Sequence, residues 1–451
     1  MNENKIPQNR AEFRERLGLL TEAAESRIAA GIESNRKSDA IIRVVDAAGG
    51  PVSGVEIGVE QVSSSFRFGA NAFMLGGFET PEMNQRWEQR FSEAFNQAVV
   101  PFFWKDTEPV RGQPRFDANS PKAFRRPPTD AVLAFCKRHG IEPKAHCLTY
   151  HQFTPDWMPD DPVACREAYA AYFAQVGKRY HAQIPVWDVV NEAMSRWAGR
   201  HRAKSVPPDW VRWSFRAARE HFPGCQLVLN EANSTWEEDG YHHFGFETHP
   251  FVLLAQNLLL QGIPVDALGL QYHLFDYKEE DLWKRSGEDI YGSHMLHLER
   301  LLATLDHYQT LGLPLHISEI TLPCYGETED DESLQAELAR MLYRAWFSHP
   351  AVRSITYWNV VDGYAHGKEG ELRGALVRKD LSEKTIYREV KKLIREEWRT
   401  RIASRVYHDG TMRLRGFHGS YRVTLRKDGK EMASAFHVNH GKETEALIKW
   451  P

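Results

Sequence analysis

Between about residues 66 and 397 this sequence alternates short apolar runs with helical stretches, and that alternation is the strongest limit on its fold. Runs at 142–149, 186–191, 226–230, 267–273, 314–319 and 354–359 are rich in β-formers and end in polar residues. Stretches at 162–180, 208–221 and 334–348 carry apolar residues at helical spacing. Neighbouring parallel strands can be joined only by a long crossover, usually a helix, so strand-helix-strand repetition predicts a parallel sheet covered by helices. The chain has 451 residues, more than the ~250 typical of one (β/α)8 barrel. The expected class is α/β: a (β/α)8 TIM barrel with a small accessory β-sandwich.

The two ends supply that accessory part. Phe13, Leu17, Leu20, Ala24 and Ile28 predict a helix over 9–31. Strands at 40–45 and 55–60 flank Asp46-Ala47-Ala48-Gly49-Gly50-Pro51, which is dense in turn formers. After Glu397 the texture is β again, at 413–417 and 421–425, with Asp428-Gly429 as a hairpin signal. About 50 residues make a weak independent domain, so residues 38–65 and 398–451 are read as two parts of one β-sandwich. The barrel, 66–397, is then inserted between them, and 1–37 form an N-terminal helical segment. The stretches around Gly50-Pro51-Val52-Ser53-Gly54-Val55 and Gly419-Ser420-Tyr421-Arg422-Val423 resemble transthyretin-like or carboxypeptidase-regulatory-like sandwiches. Two separate β extensions on the barrel are the alternative.

Composition removes several function classes. Lys plus Arg number 57 against 61 Asp plus Glu, a net charge of −4, which lacks the basic excess of a nucleic-acid binder. No run of about 18 apolar residues occurs, so no membrane span is expected. Five scattered cysteines without C-x-x-C spacing fit a reduced protein. The Met1-Asn2-Glu3-Asn4-Lys5 start lacks the apolar core of a signal peptide. The expected location is therefore cytoplasmic, or secreted if a leader has been removed. The 20 histidines raise the question of a metal. His146 and His151 are separated by a strand end, His273 is distant, and no H-E-x-x-H occurs, so no metal site is expected. With no P-loop and no G-x-G-x-x-G, no cofactor is expected either.

Trp187-Asp188-Val189-Val190-Asn191-Glu192 and Leu315-His316-Ile317-Ser318-Glu319 each deliver a glutamate at a strand end. In a barrel, residues at the carboxyl ends of different strands meet on one face. Paired carboxylates there are what glycosidic bond cleavage needs, one to protonate the leaving oxygen and one to attack or stabilise the sugar cation.

A resemblance adds to this reading. Phe66-Arg67-Phe68-Gly69-Ala70-Asn71, then Trp104 with Glu108-Pro109 and Gly112, resemble the first two strands of family 10 glycoside hydrolases. His146-Cys147-Leu148-Thr149-Tyr150-His151 is similar to the third, Asn230-Glu231-Ala232-Asn233 to the fifth, and Gly269-Leu270-Gln271-Tyr272-His273 to the sixth. Thr356-Tyr357-Trp358-Asn359 is similar to the eighth. The family is best known for endo-acting xylanases, and the resemblance implies a carbohydrate substrate and a retaining mechanism. It implies that Glu192 is the general acid/base and Glu319 the nucleophile. Asn191 would donate to a sugar 2-hydroxyl, His146 and His151 would line the same subsite, and Trp358 would offer a ring face to a pyranose. Gln271 and His273 would hold Glu319.

The sequence also departs from the family. The Glu-Asn pair and the Lys that xylan-cleaving members carry at the second strand fall here on Val99-Val100 and Phe103. Tyr150-His151-Gln152-Phe153 stands for Trp-His-Ser-Gln, and Thr321 for an acidic residue. A xylose in the second upstream subsite would lose partners for its hydroxyls. Three readings follow: a xylanase-like hydrolase, a retaining β-glycosidase of other specificity (exo-acting or for a modified sugar), and a non-hydrolytic carbohydrate-binding barrel.

Overall fold

Short runs of Val, Ile, Leu and Ala can be buried on both faces only where helices cover the sheet. The computed structural model describes residues 9–194, 206–207, 209–236, 246–284 and 295–451. Two strands, β1 (Lys37–Val45) and β2 (Glu56–Ser64), precede the barrel. The barrel strands are β3 (Arg67–Asn71), β4 (Gln97–Pro101), β5 (Glu142–Thr149), β6 (Val186–Asn191), β7 (Gln226–Glu231), β8 (Ala267–His273), β9 (Leu315–Thr321) and β10 (Val352–Tyr357). They close in the order β10-β3-β4-β5-β6-β7-β8-β9, all parallel, so the (β/α)8 TIM barrel is the architecture. Every residue of β4, β6, β8 and β9 is buried.

The ladder slips at the carboxyl ends of several strands. Register shifts fall between His146 and Thr149, between Asp188 and Val190, and between Leu270 and Gln271. Such irregularities bend a strand and re-aim its side chains, and these lie where the polar residues collect.

After the barrel come β11 (Arg401–Arg405), β12 (Thr411–Phe417), β13 (Gly419–Lys427), β14 (Lys430–Val438) and β15 (Thr444–Lys449). They join β1 and β2 in a three-stranded sheet, β12-β1-β15, and a four-stranded sheet, β11-β2-β13-β14. One apolar cluster that includes Ile42, Val44, Ile57, Val59, Val423 and Leu425 lies between them. The accessory sandwich is thus built from both ends of the chain. The Asp428-Gly429 hairpin joins β13 to β14, where Lys427 faces Lys430.

The first helix, Arg10–Arg36, runs five residues past the expected end and straight into β1. Its last residue accounts for the extension: the buried Arg36 guanidinium donates to the carbonyls of Phe347, His349 and Val352. Gly31 lets the two backbones approach, since a Cβ there would stand 2.7 Å from the Ser348 carbonyl oxygen. A second correction concerns Trp104. It opens a one-turn helix, Trp104–Thr107, beyond the end of β4, and its indole donates to Glu108 at 2.8 Å. The helix expected over 334–348 starts earlier, as Glu329–Ser348, because Thr328 and Asp331 form a capping box. Pro208 of the 208–221 helix lies outside the described residues, and the helix spans Trp210–His221. All five cysteines are buried and free. No described helix is long and apolar enough to cross a membrane.

Candidate active site

Glu192 follows β6, and its backbone turns into the left-handed region with φ of 53°. Successive strand residues point to opposite faces, so Asn191 and Glu192 could not both face one site on a regular strand. The left-handed turn is uncommon for a residue with a Cβ, and it lets both side chains line one cavity of about 210 Å³ at the carboxyl end of the barrel. Glu319, on β9, lines the same cavity.

Asn191 links the two carboxylates. Its side-chain oxygen accepts from Asn230 at 2.7 Å and from Gln271 at 3.3 Å. The same Asn230 amide donates to Glu319 at 2.8 Å, and the same Gln271 amide donates to Glu192 at 3.2 Å. The Asn191 amide nitrogen makes no hydrogen bond among the described residues, so its protons remain for a ligand.

The two glutamates differ in what surrounds them. Tyr150 donates its hydroxyl to Glu192 at 2.7 Å. Burial raises the Glu192 pKa above the usual carboxylate range, and the charge of Glu319 pushes it the same way. The hydrogen bonds from Tyr150 and Gln271 oppose that rise without cancelling it. Glu319 instead faces two imidazoles, His146 Nε2 at 3.8 Å and His273 Nε2 at 3.4 Å. Each imidazole is oriented from behind: His273 Nδ1 lies 2.9 Å from Thr321 Oγ1, and His146 Nδ1 lies 2.9 Å from Asp188 Oδ2. Burial alone would raise the pKa of Asp188, but the Lys144 ammonium at 3.0 Å and His146 hold it below its ordinary value. An ionised Asp188 accepts a hydrogen bond from Nδ1–H and so sets the ring with Nε2 toward Glu319.

Of the residues singled out from the sequence, Glu192, Glu319, His146, Asn191, Gln271, His273 and Trp358 all line this cavity. Trp358 stands edge-on to His146 and Phe73, and its carbonyl accepts from Asn71. Two expectations need correction. Gln271 contacts Glu192 and Asn191, while Asn230 takes the place beside Glu319; alternation along a strand sets a side chain's face, not the neighbour it reaches. His151 is absent from the cavity lining and packs edge-on against Tyr150 and Trp210. It lies beyond the end of β5, where period-two alternation no longer applies, and Tyr150 takes the place at the cavity.

Sequence reasoning assigned no role to Asn230, Asp188, Lys144 or Tyr150, although the first, second and fourth stand within the quoted motifs. It also passed over Glu231, whose carboxylate accepts backbone N–H groups from Ala232 and Met194 and so ties down the segment after Glu192. Burial raises its pKa to about 7.

One wall of the cavity is aromatic. Phe103 packs against Phe153 at 4.5 Å and Phe73 at 5.8 Å between ring centroids. The Arg126 guanidinium lies over the Phe103 ring at 4.2 Å.

Known proteins share this arrangement of strands. The family model for glycosyl hydrolase family 10 matches residues 81–393. The anti-sigma-I factor RsgI6 of Acetivibrio thermocellus is 24% identical over 421 residues, covering 92% of this chain but 48% of its own length, so the chain spans about half of that relative. Endo-1,4-beta-xylanase B of Paenibacillus barcinonensis is 24% identical over 348 residues, covering 70% of this chain and 91% of that protein. Among solved structures, xylanase 10B from Thermotoga petrophila RKU-1 in complex with xylobiose superposes with a TM-score of 0.57 at 20% identity, over 74% of this chain and 95% of that one. At that identity the likeness concerns the fold.

Proposed function

This chain belongs to glycosyl hydrolase family 10, and from that premise we propose that it hydrolyses β-glycosidic bonds with retention of configuration, using Glu192 and Glu319. Glu319 attacks the anomeric carbon while the bond to the leaving oxygen breaks and that oxygen takes the Glu192 proton. Water then attacks the glycosyl-enzyme ester; Glu192 accepts its proton, and the Glu319 carboxylate is released. Asn191 donates to the sugar 2-hydroxyl, where hydrogen bonds strengthen in the transition state. His146 and His273 position Glu319, and Trp358 supplies a ring face to the sugar. The carrying observation is the contrast between the two carboxyl groups: one is driven toward its protonated form, and the other accepts from Asn230 between two braced imidazoles.

Xylan-type substrates are the default, since the relatives include proteins named endo-1,4-beta-xylanase. A second reading, a retaining β-glycosidase acting at chain ends or on a modified sugar, is favoured by the wall of Phe73, Phe103 and Phe153. Those three rings offer no side-chain hydrogen-bond partner to sugar hydroxyls. Proton NMR of the first product formed from an aryl β-glycoside tests the mechanism. The β-anomer should appear first and then mutarotate. An α-anomer would refute retention, and no hydrolysis across a panel of β-glycosides would favour the non-hydrolytic barrel.

A further inference from the structure

Two adjacent arginines, Arg125 and Arg126, enter the sugar cavity from the long loop after the one-turn helix Trp104–Thr107. Building on the glycosidase reading above, we propose that the sugar held against this wall carries an anionic substituent, a uronate carboxylate or a sulfate ester, recognised by Arg125 and Arg126.

Arg125 is the stronger observation. Its side chain is buried, at 5% exposure, and no carboxylate lies within ion-pair distance among the described residues. Nη1 donates to the Tyr364 carbonyl, whereas Nε is buried without an acceptor among the described residues. A buried charge lacking a partner is costly, and proteins normally pair it or keep it in water. The backbone at Arg125 is also strained, with φ of 58°. Such outliers cluster at ligand clamps, where the surrounding structure enforces them. A charge buried at a strained position beside a substrate cavity is explained when the substrate brings the missing anion.

Arg126 is already braced for such a contact. Its Nε donates to Asp106 at 2.7 Å, Nη1 donates to the Arg125 carbonyl at 3.0 Å, and the guanidinium rests on Phe103. Nη2 has no acceptor among the described residues. Both guanidinium groups lie over the Phe73 ring, at 5.5 and 5.4 Å from its centroid, and both line the same cavity. Planar forks of this kind match the oxygens of a carboxylate or sulfate.

Asp106 and Glu369 are the acids that stand nearest the two arginines. Asp106 pairs with Arg126 through Nε alone. Glu369 lines the cavity but accepts from Asn359 at 2.9 Å and forms no ion pair with Arg125. Burial lowers the Arg125 pKa to about 10 despite the attraction of Glu369. Beyond the wall, a hollow of about 720 Å³ shares Phe73 and Arg126 and adds Lys122 and Arg138 against Glu88.

The test is calorimetric binding of glucose, glucuronic acid and glucose 6-sulfate to the full chain, with the Arg125→Met and Arg126→Gln variants alongside. At least one anionic sugar should bind at least about tenfold more tightly than glucose, and the preferred anion separates carboxylate from sulfate ester. In either variant the preference should fall below about threefold. Should Arg125→Met fail to fold, Arg126→Gln carries the comparison. Equal binding of all three sugars, no measurable binding, or a preference that survives the substitutions overturns the proposal. Hydrolysis is scored separately: neutral β-glycosides cleaved without anion preference would defeat only this inference. Anion preference without any hydrolysis would defeat only the catalytic reading.

Discussion

The floor and the aromatic wall of the cavity are built on opposite physical plans. On the floor, buried polar groups satisfy one another: Asn191, Asn230 and Gln271 tie Glu192 to Glu319, and Asp188 and Thr321 orient the two histidines. On the wall, Phe73, Phe103 and Phe153 pack together with guanidinium groups laid over them. The floor residues sit on barrel strands or at their ends, while both arginines come from a loop. Strands fix a side chain's place through ladder and core at once, so chemistry that tolerates little displacement is well carried there. Loops change shape without disturbing the barrel, and selectivity can vary there. On the proposed reading, the difference implies that bond cleavage and sugar choice can be altered separately in this molecule.

The largest expected effect strikes the floor. Glu319→Gln should lower kcat by more than about 10⁴-fold, because removing a nucleophile abolishes the covalent route. Circular dichroism and the melting transition should stay close to those of the parent. A rate within tenfold of the parent would break the contrast at its root. Glu192→Gln comes next, and its effect should depend on the leaving group. With a poorly acidic alcohol the loss should be about 10²–10⁴-fold, the usual worth of general acid–base help. With a nitrophenol the glycosylation step should be far less affected, since that leaving group needs no proton. Equal losses on both substrates in pre-steady-state kinetics would remove Glu192 from the acid role.

The wall is tested by chain length. Adding a second upstream xylose, from xylobiose to xylotriose, should raise kcat/KM by less than about tenfold. Phe103 and Val99 offer no side-chain partners to its hydroxyls, and hydroxyls desolvated without partners gain little. A gain of a hundredfold or more would show that the wall binds a neutral second sugar after all.

The floor was also the more legible region in the sequence. Glu192 and Glu319 stand at the ends of apolar runs, so the barrel rule sends both to one face, while His146, Asn191, His273 and Trp358 were legible through the motifs that resemble family 10. Gln271 was readable as a site residue but not in its contact, because its reach depends on side-chain torsions and on the register shift beside it. His151 was misplaced because it lies past the strand end. Arg125 and Arg126 follow Ala123-Phe124 and precede Pro127-Pro128 in a loop without periodicity. Nothing in that pattern announces a left-handed arginine turned into a cavity. The sandwich shows the same rule, since alternating strands and a hairpin signal were visible at both ends. Pairing of β1 with β15 in parallel was not, because partner choice depends on tertiary packing.

Tyr150 lies where the two regions meet, packing on Phe103 and Phe153 while its hydroxyl donates to Glu192. That hydrogen bond favours the charged form of Glu192 and so restrains a pKa that burial raises. Catalysis needs the protonated form, so activity should fall as pH rises through the Glu192 pKa. In Tyr150→Phe the restraint is lost, Glu192 holds its proton more tightly, and the alkaline limb of kcat/KM should move to higher pH. The rate at the optimum should change only a few-fold, because the ring and its packing remain. A limb that moves to lower pH would mean the hydroxyl instead favours the protonated acid. A limb that does not move would detach Tyr150 from Glu192 and leave it as part of the wall alone.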